Sequence, residues 1–215
     1  MAVDPQTILG WLRRIAAFDA KVFDDVRNNP TATLPAVTVA VLAFFLSGLG
    51  GWLWWSVPQG YGSKGTVFLD STVIGSLIAI ALWGVVWVGL VYLFLTQFFR
   101  ERVFLEQLLR VMGLATAPLG LTLLMVVPHV SFAAGLVPLV LTFALSNVAI
   151  QSVTAADPLR VLAANIGGFA VWALSLSLFV SGSHVYAPGV FVYIFPAEAV
   201  NDLYGISSRF KNLVQ

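Results

Sequence analysis

Hydrophobic residues in this chain come in long uncharged blocks separated by short polar or proline-rich breaks. The longest block covers residues 108–150 and holds no Asp, Glu, Lys or Arg after Arg110. About 18 uncharged apolar residues let a helix cross a bilayer, so this block predicts two crossings. Pro128, His129 and Ser131 interrupt it near the middle. Proline denies the backbone a donor, which predicts a tight antiparallel hairpin there. Other blocks predict a first span over 35–55, a second over 73–98 and a fifth over 161–180, the last opened by Asp157 and Pro158.

Ahead of the first span, Asp4 and Pro5 read as a helix start. Ile8, Trp11, Leu12, Ile15 and Phe18 then form one stripe, with Arg13 and Arg14 off it. Such a helix either lies in the headgroup plane with its arginines toward anionic lipid, or packs its stripe on the protein's own cytoplasmic face. The interfacial helix is the expectation taken forward. Trp52, Trp54 and Trp55 at the end of the first span read as an aromatic belt at the lipid interface. A Gly- and Ser-rich loop over 56–68 follows, and Asp70 reads as the cap of the second helix. Gly75, Gly84 and Gly89 are expected to admit close neighbours, while Pro118 and Pro138 are expected to kink the third and fourth helices. Asn147, Gln151 and Asn165, near the ends of the fourth and fifth helices, are candidates for hydrogen bonds between helices. The stretch 185–200 is apolar but broken by Pro188, Gly189 and Pro196, so it predicts an interfacial or re-entrant segment rather than a sixth crossing.

Composition agrees with this pattern. Hydrophobic residues make up 59% of the chain and charged residues 10%, with a mean hydropathy of +0.92. A soluble domain carries about a quarter charged residues. The expectation is an all-α integral membrane protein. It would have a cytoplasmic amphipathic segment over 1–30, a five-helix transmembrane bundle over 31–183 and an irregular C-terminal tail over 184–215. A net charge of +1 gives no basic field for nucleic acid. The chain has no cysteine, hence no thiol nucleophile or thiolate metal site.

Basic residues favour the cytoplasmic side. With the N-terminus inside, that side receives Arg13, Arg14, Lys21, Arg27, Arg100, Arg102, Arg110 and Arg160, leaving Lys64, Arg209 and Lys211 outside.

The N-terminal segment ending DAKVFDDVRNNP, the five expected helices and the run RVMGLATAP from Arg110 to Pro118 together resemble the Yip family of Ypt/Rab-interacting membrane proteins. Gly113 and Pro118 match the family's mark on helix three, although Leu114 stands where a tyrosine is expected. The resemblance covers 17–180, and the short N-terminal region is similar to bacterial members. It implies residence in a bacterial inner membrane with membrane lipids and other membrane proteins or a larger complex as partners, and it does not point to a Rab GTPase. Asp202, Leu203, Tyr204 and Gly205 match a family DLYG signature, but they follow the last helix instead of preceding the first, and are read as coincidence.

The spans hold almost no ionisable group, with acids and bases expected at helix ends or in loops. His129 and His184 are single and fall in no metal-ligand spacing, and the serine-nucleophile pattern GxSxG is absent. No enzyme, cofactor or metal is expected. Two readings remain, a non-catalytic scaffold or accessory subunit, and a channel or carrier for a neutral or lipidic substrate. Asp70 and Asn147 are the polar candidates for the second.

Overall fold

The computed structural model describes residues 4–57, 68–127, 129–180 and 187–192. Among these the chain is all helical. Helix α1 (Pro5–Ala16) starts where Asp4 Oδ1 accepts from the Gln6 amide at 3.2 Å, with Pro5 in the first turn. It stops at Phe18, whose φ of 56° breaks the ladder while the Asp19 amide bonds back to the Arg14 carbonyl at 2.9 Å. Asp19 Oδ1 then accepts from the Lys21 amide at 3.0 Å and starts α2 (Lys21–Asn28). Asn29 repeats the device, accepting from the Thr31 amide at 3.0 Å and leading through a short 3-10 turn into α3 (Thr33–Ser56). Short polar side chains thus satisfy the amide groups that helix starts leave bare.

Helix α4 runs over Leu69–Phe98, with wide π turns at Leu69–Gly75, Trp83–Val88 and Phe94–Phe98. It begins before the expected 73, and its first turn receives no side-chain cap, so Asp70 lies inside that turn rather than capping it. An acid there still complements the positive end of the helix dipole.

Helix α5 is α-helical over Leu105–Ala115 and tightens to a 3-10 helix over Ala117–Val126. Pro118 explains the change, because it has no N–H for the carbonyl one turn back and its ring crowds that carbonyl. The hydroxyls of Thr116 and Thr122 follow the tighter winding, donating three residues back to Gly113 O at 2.7 Å and Leu119 O at 2.6 Å. The helix breaks where the sequence predicts a turn, with Pro128 itself outside the described residues. His129 adopts a φ of 70° and the Ser131 hydroxyl donates to Val127 O at 2.9 Å, after which α6 (Ser131–Val153) contains Pro138 without interruption. Helix α7 spans Pro158–Val180.

Among the described residues, five helices are long and apolar enough to cross a membrane: Pro30–Ser56, Leu69–Phe98, Leu105–Val126, Ser131–Val153 and Pro158–Val180. Apolar side chains such as Leu77, Val85, Leu174 and Leu178 point outward from them.

The chain packs as two units. The first comprises the residues up to Ala43 with Ile80–Ala117 and Leu141–Ser175. Of the described residues, the second comprises those in Phe44–Ala79, Pro118–Val140 and 176–192. Val22, Phe23 and Val26 of α2 are fully buried, and α2 packs on the Leu105–Ala115 part of α5, so the N-terminal helices belong to the core of the first unit.

In the second unit, Gly48 meets α4 so closely that an added Cβ would lie 2.7 Å from Ser71 O and collide with the Ser76 hydroxyl. The Ser71 hydroxyl donates to Gly48 O at 3.1 Å and that of Ser76 to Phe44 O at 3.0 Å. Gly84 and Gly89, expected to serve such approaches, have open space beside them, while Gly75 is buried. The described part of the tail, Ala187–Val192, lies against Gly51 with Ala187 and Val192 buried; the remainder of 185–200 lies outside the described residues.

Candidate functional site

The densest polar construction among the described residues centres on Arg110, in the first unit. Arg110 is only 5% exposed although it carries a charge, and it lies in the second turn of the apolar helix Leu105–Val126. Burying such a charge is costly unless its donors are all used well. Here Nε donates to Thr33 Oγ1 at 2.6 Å, Nη1 to the Arg27 carbonyl at 3.1 Å and Nη2 to Glu106 Oε2 at 2.9 Å. One side chain therefore joins the end of α2, the start of α3 and its own helix α5. Glu106 sits one turn before Arg110 and is itself largely exposed, so the pair runs from the surface into the core of the first unit.

A second arginine extends the clasp. Arg27 donates through Nη1 to the Ser152 carbonyl near the end of α6, and its Nη2 lies 3.9 Å from Asp24. One turn beyond Arg110, an added Cβ on Gly113 would approach Ala36 O to 2.8 Å, so α5 and α3 meet backbone to backbone. Arg110 and Gly113 thus act on the same contact between helices. Pro118 is buried and belongs by packing to the second unit.

Asn165 forms a separate node. It is completely buried, accepts from Trp87 Nε1 at 3.0 Å and donates to Phe143 O at 3.2 Å, tying α7 to α4 and α6. Trp87, Phe143, Phe169 and Trp172 stack around it with ring centroids 5.0 to 5.7 Å apart. Gln151 behaves differently from its expectation. Its amide donates to Ala156 O at 2.9 Å and closes the turn between α6 and α7, a bond local to that turn. Asn147 Oδ1 is buried with no hydrogen-bond partner among the described residues, and the Thr142 and Ser146 hydroxyls on the same helix share that condition.

The expected lipid-facing residues divide. Trp11 is 7% exposed and Ile15 is buried, so the middle of the apolar stripe of α1 is covered by protein, while Ile8 and Leu12 are half-buried and Phe18 is exposed. Periodicity alone could not say which of these residues protein would cover. Arg14 bonds to Asp19 at 2.7 Å and to Asp25, carboxylates of its own chain. The Asp25 and Asp19 carboxylates raise the Arg14 pKa above its ordinary value, and the Arg14 guanidinium with the Lys21 amide holds the Asp19 carboxyl below its usual range. Arg13 remains exposed. Trp54 is buried at 1% exposure and stacks edge-on with Trp55 at 4.8 Å; Trp52 and Trp55 are half-buried. The belt is therefore in part a core.

Sequence reasoning missed Thr33 and Arg27 as partners of Arg110, and Trp87 as partner of Asn165. Only Glu106, at helical spacing from Arg110, carried a readable signal. Among the described residues no three of His, Asp and Glu gather to hold a metal ion, and His184 lies outside those residues. No family model, no curated protein and no solved structure matches the chain.

Proposed function

We propose that this is a non-catalytic, Yip-like membrane protein that works by shape and contact, as a scaffold or accessory subunit in a bacterial inner membrane. The observation that carries this reading is the use made of Arg110. Its guanidinium is engaged by Thr33, Arg27 and Glu106 of the same chain, so it pins helices together instead of presenting charge to a solute. Asn165 and the serines facing α3 act likewise. Polar groups used to fix helix contacts suit a body whose outer surface engages lipids and other membrane proteins. Gly113 and Pro118 are the positions that join this reading to the Yip-like resemblance.

A second reading, a carrier for a neutral or lipidic substrate, draws on Thr142, Ser146 and Asn147, whose buried oxygens have no partner among the described residues. Gentle extraction followed by identification of whatever co-purifies, paired with solute flux in liposomes, separates the two. The scaffold reading expects stable companions and no flux. A lone monomer with flux that Asn147→Leu abolishes overturns it.

A further inference from the structure

The arginines expected to meet lipid through α1 are partly occupied, yet three others stand without an anionic partner at a different rim of the first unit. Arg100 and Arg102, in the link after α4, and Arg160, in the first turn of α7, are all exposed and make no ion pair among the described residues. The acids nearby are directed elsewhere. Glu101 accepts from the Thr154 hydroxyl at 3.4 Å, Asp157 accepts from the Leu159 amide at 2.9 Å, and Glu106 holds Arg110.

Two of these cations occupy positions that work against them. Arg100 has a φ of 58°, the left-handed conformation in which helices usually end on glycine, and any residue with a Cβ is disfavoured there. The break is fixed by the Glu101 amide donating to Leu95 O at 2.9 Å. Arg160 is close to the N-terminus of α7, where the helix dipole repels a cation. It is held there with its guanidinium carbon 5.9 Å from the centre of the Phe99 ring. Phe98 and Phe104 flank the link, each 71% exposed.

We infer that Arg100, Arg102 and Arg160 form a binding site for the phosphate-bearing headgroup of an anionic phospholipid, with Phe98 and Phe104 lying along its acyl chains. Guanidinium forks match phosphate oxygens geometrically. The neighbouring exposed rings favour a lipid over a free anion, since they offer an apolar surface to whatever carries the phosphate. This inference rests on the membrane reading above, and the test keeps the two apart.

The full chain is mixed with neutral phosphatidylcholine vesicles and floated, which tests membrane residence alone. Protein that stays at the bottom overturns that residence and this site with it. Floating protein is then purified in mild detergent, offered equal phosphatidylglycerol and phosphatidylcholine, and examined by native mass spectrometry for retained lipid. A preference for phosphatidylglycerol is expected to fall roughly fivefold for each cation removed in Arg102→Gln and Arg160→Gln, and about 25-fold in the double variant. Arg100→Gly is the sharper variant, because it relieves the left-handed strain. It should raise the melting temperature while lowering the preference, a combination that a purely structural role does not give. An unchanged preference in these variants, or an equal loss in Arg13→Gln, overturns the site. Displacement of the retained lipid by millimolar inorganic phosphate overturns the lipid as its occupant.

Discussion

The two packing units solve the same problem by different means. On the membrane reading proposed above, helix against helix is no better hydrophobically than helix against lipid, so each unit needs another reason to hold together. The second unit relies on the absence of side chains. Gly48, Gly50 and Gly51 let α3 come within backbone distance of Ser71, Thr122 and Ala187, and serine hydroxyls close the seam onto carbonyls. The first unit also has close approaches, at Gly113 and Gly168, but adds directional bonds from large polar side chains, Arg110, Arg27 and Asn165. A seam made of small residues fails through intrusion. A clasp made of hydrogen bonds fails through deletion.

Intrusion should give the largest effect. Gly48→Val drives a branched side chain into the Ser71 carbonyl and the Ser76 hydroxyl, and is expected to destabilise by about 3 kcal/mol in thermal melts of the detergent-solubilised protein. Gly84→Val, with open space beside it, should be tolerated, since removing a helical glycine is mildly favourable. Equal melting temperatures for the two variants would remove the basis for calling α3 a glycine seam.

Deletion should follow. Arg110→Met leaves the Arg27 carbonyl and the Thr33 hydroxyl without their donor, at an expected cost of about 2 kcal/mol. Arg110→Lys keeps the charge but cannot direct three donors along three lines, so it should recover less than half of that loss. A lysine variant as stable as the parent would show that charge alone suffices. Asn165→Leu is expected to cost about 1 kcal/mol, in keeping with bonds between membrane helices. Hydrogen exchange should then rise around Trp87 and Phe143 while the Ser71 and Ser76 region is unaffected. Exchange that rises equally in both regions would mean the units do not respond separately.

How much of this was readable beforehand depends on the kind of information each feature carries. The five long apolar helices among the described residues and the turn at His129 were legible because long uncharged runs and the breaks between them are local properties. The side of α1 that is apolar was legible as well, but its cover was not, and Trp11 proved to be buried. Glycines advertise that close approach is permitted, yet only the fold decides which are used. Gly48 and Gly113 are used, whereas Gly84 is not. Arg110 looked peripheral because it stands at the edge of an apolar run, and the residues that bury it, Arg27 and Thr33, are far away in sequence. Gln151 looked able to reach a neighbouring helix, but the turn beside it offered a carbonyl first.

The smallest effect expected lies where the N-terminal helices join, and it distinguishes the exposed edge of the clasp from its buried centre. Asp19 has a lowered pKa in the folded protein because Arg14 and the Lys21 amide hydrogen-bond to its charged form. Its contribution is therefore fully present above the unfolded value, about 3.9, and is lost as pH falls through the lower folded value. Arg14 shifts the opposite way and would lose its contribution only as pH rises through its raised value in strong alkali. Both groups are solvent-exposed, so the effect should be confined to the turn between α1 and α2. After correction for intrinsic rates, amide exchange over residues 17–23 should accelerate below about pH 4 while that of α5 does not. Asp19→Asn should make the turn exchange at its acid rate at every pH. If the parent's exchange over 17–23 is flat from pH 6 down to pH 3, the turn is held by the buried Val22 and Phe23 rather than by the ion pairs, and the clasp ends at Arg27.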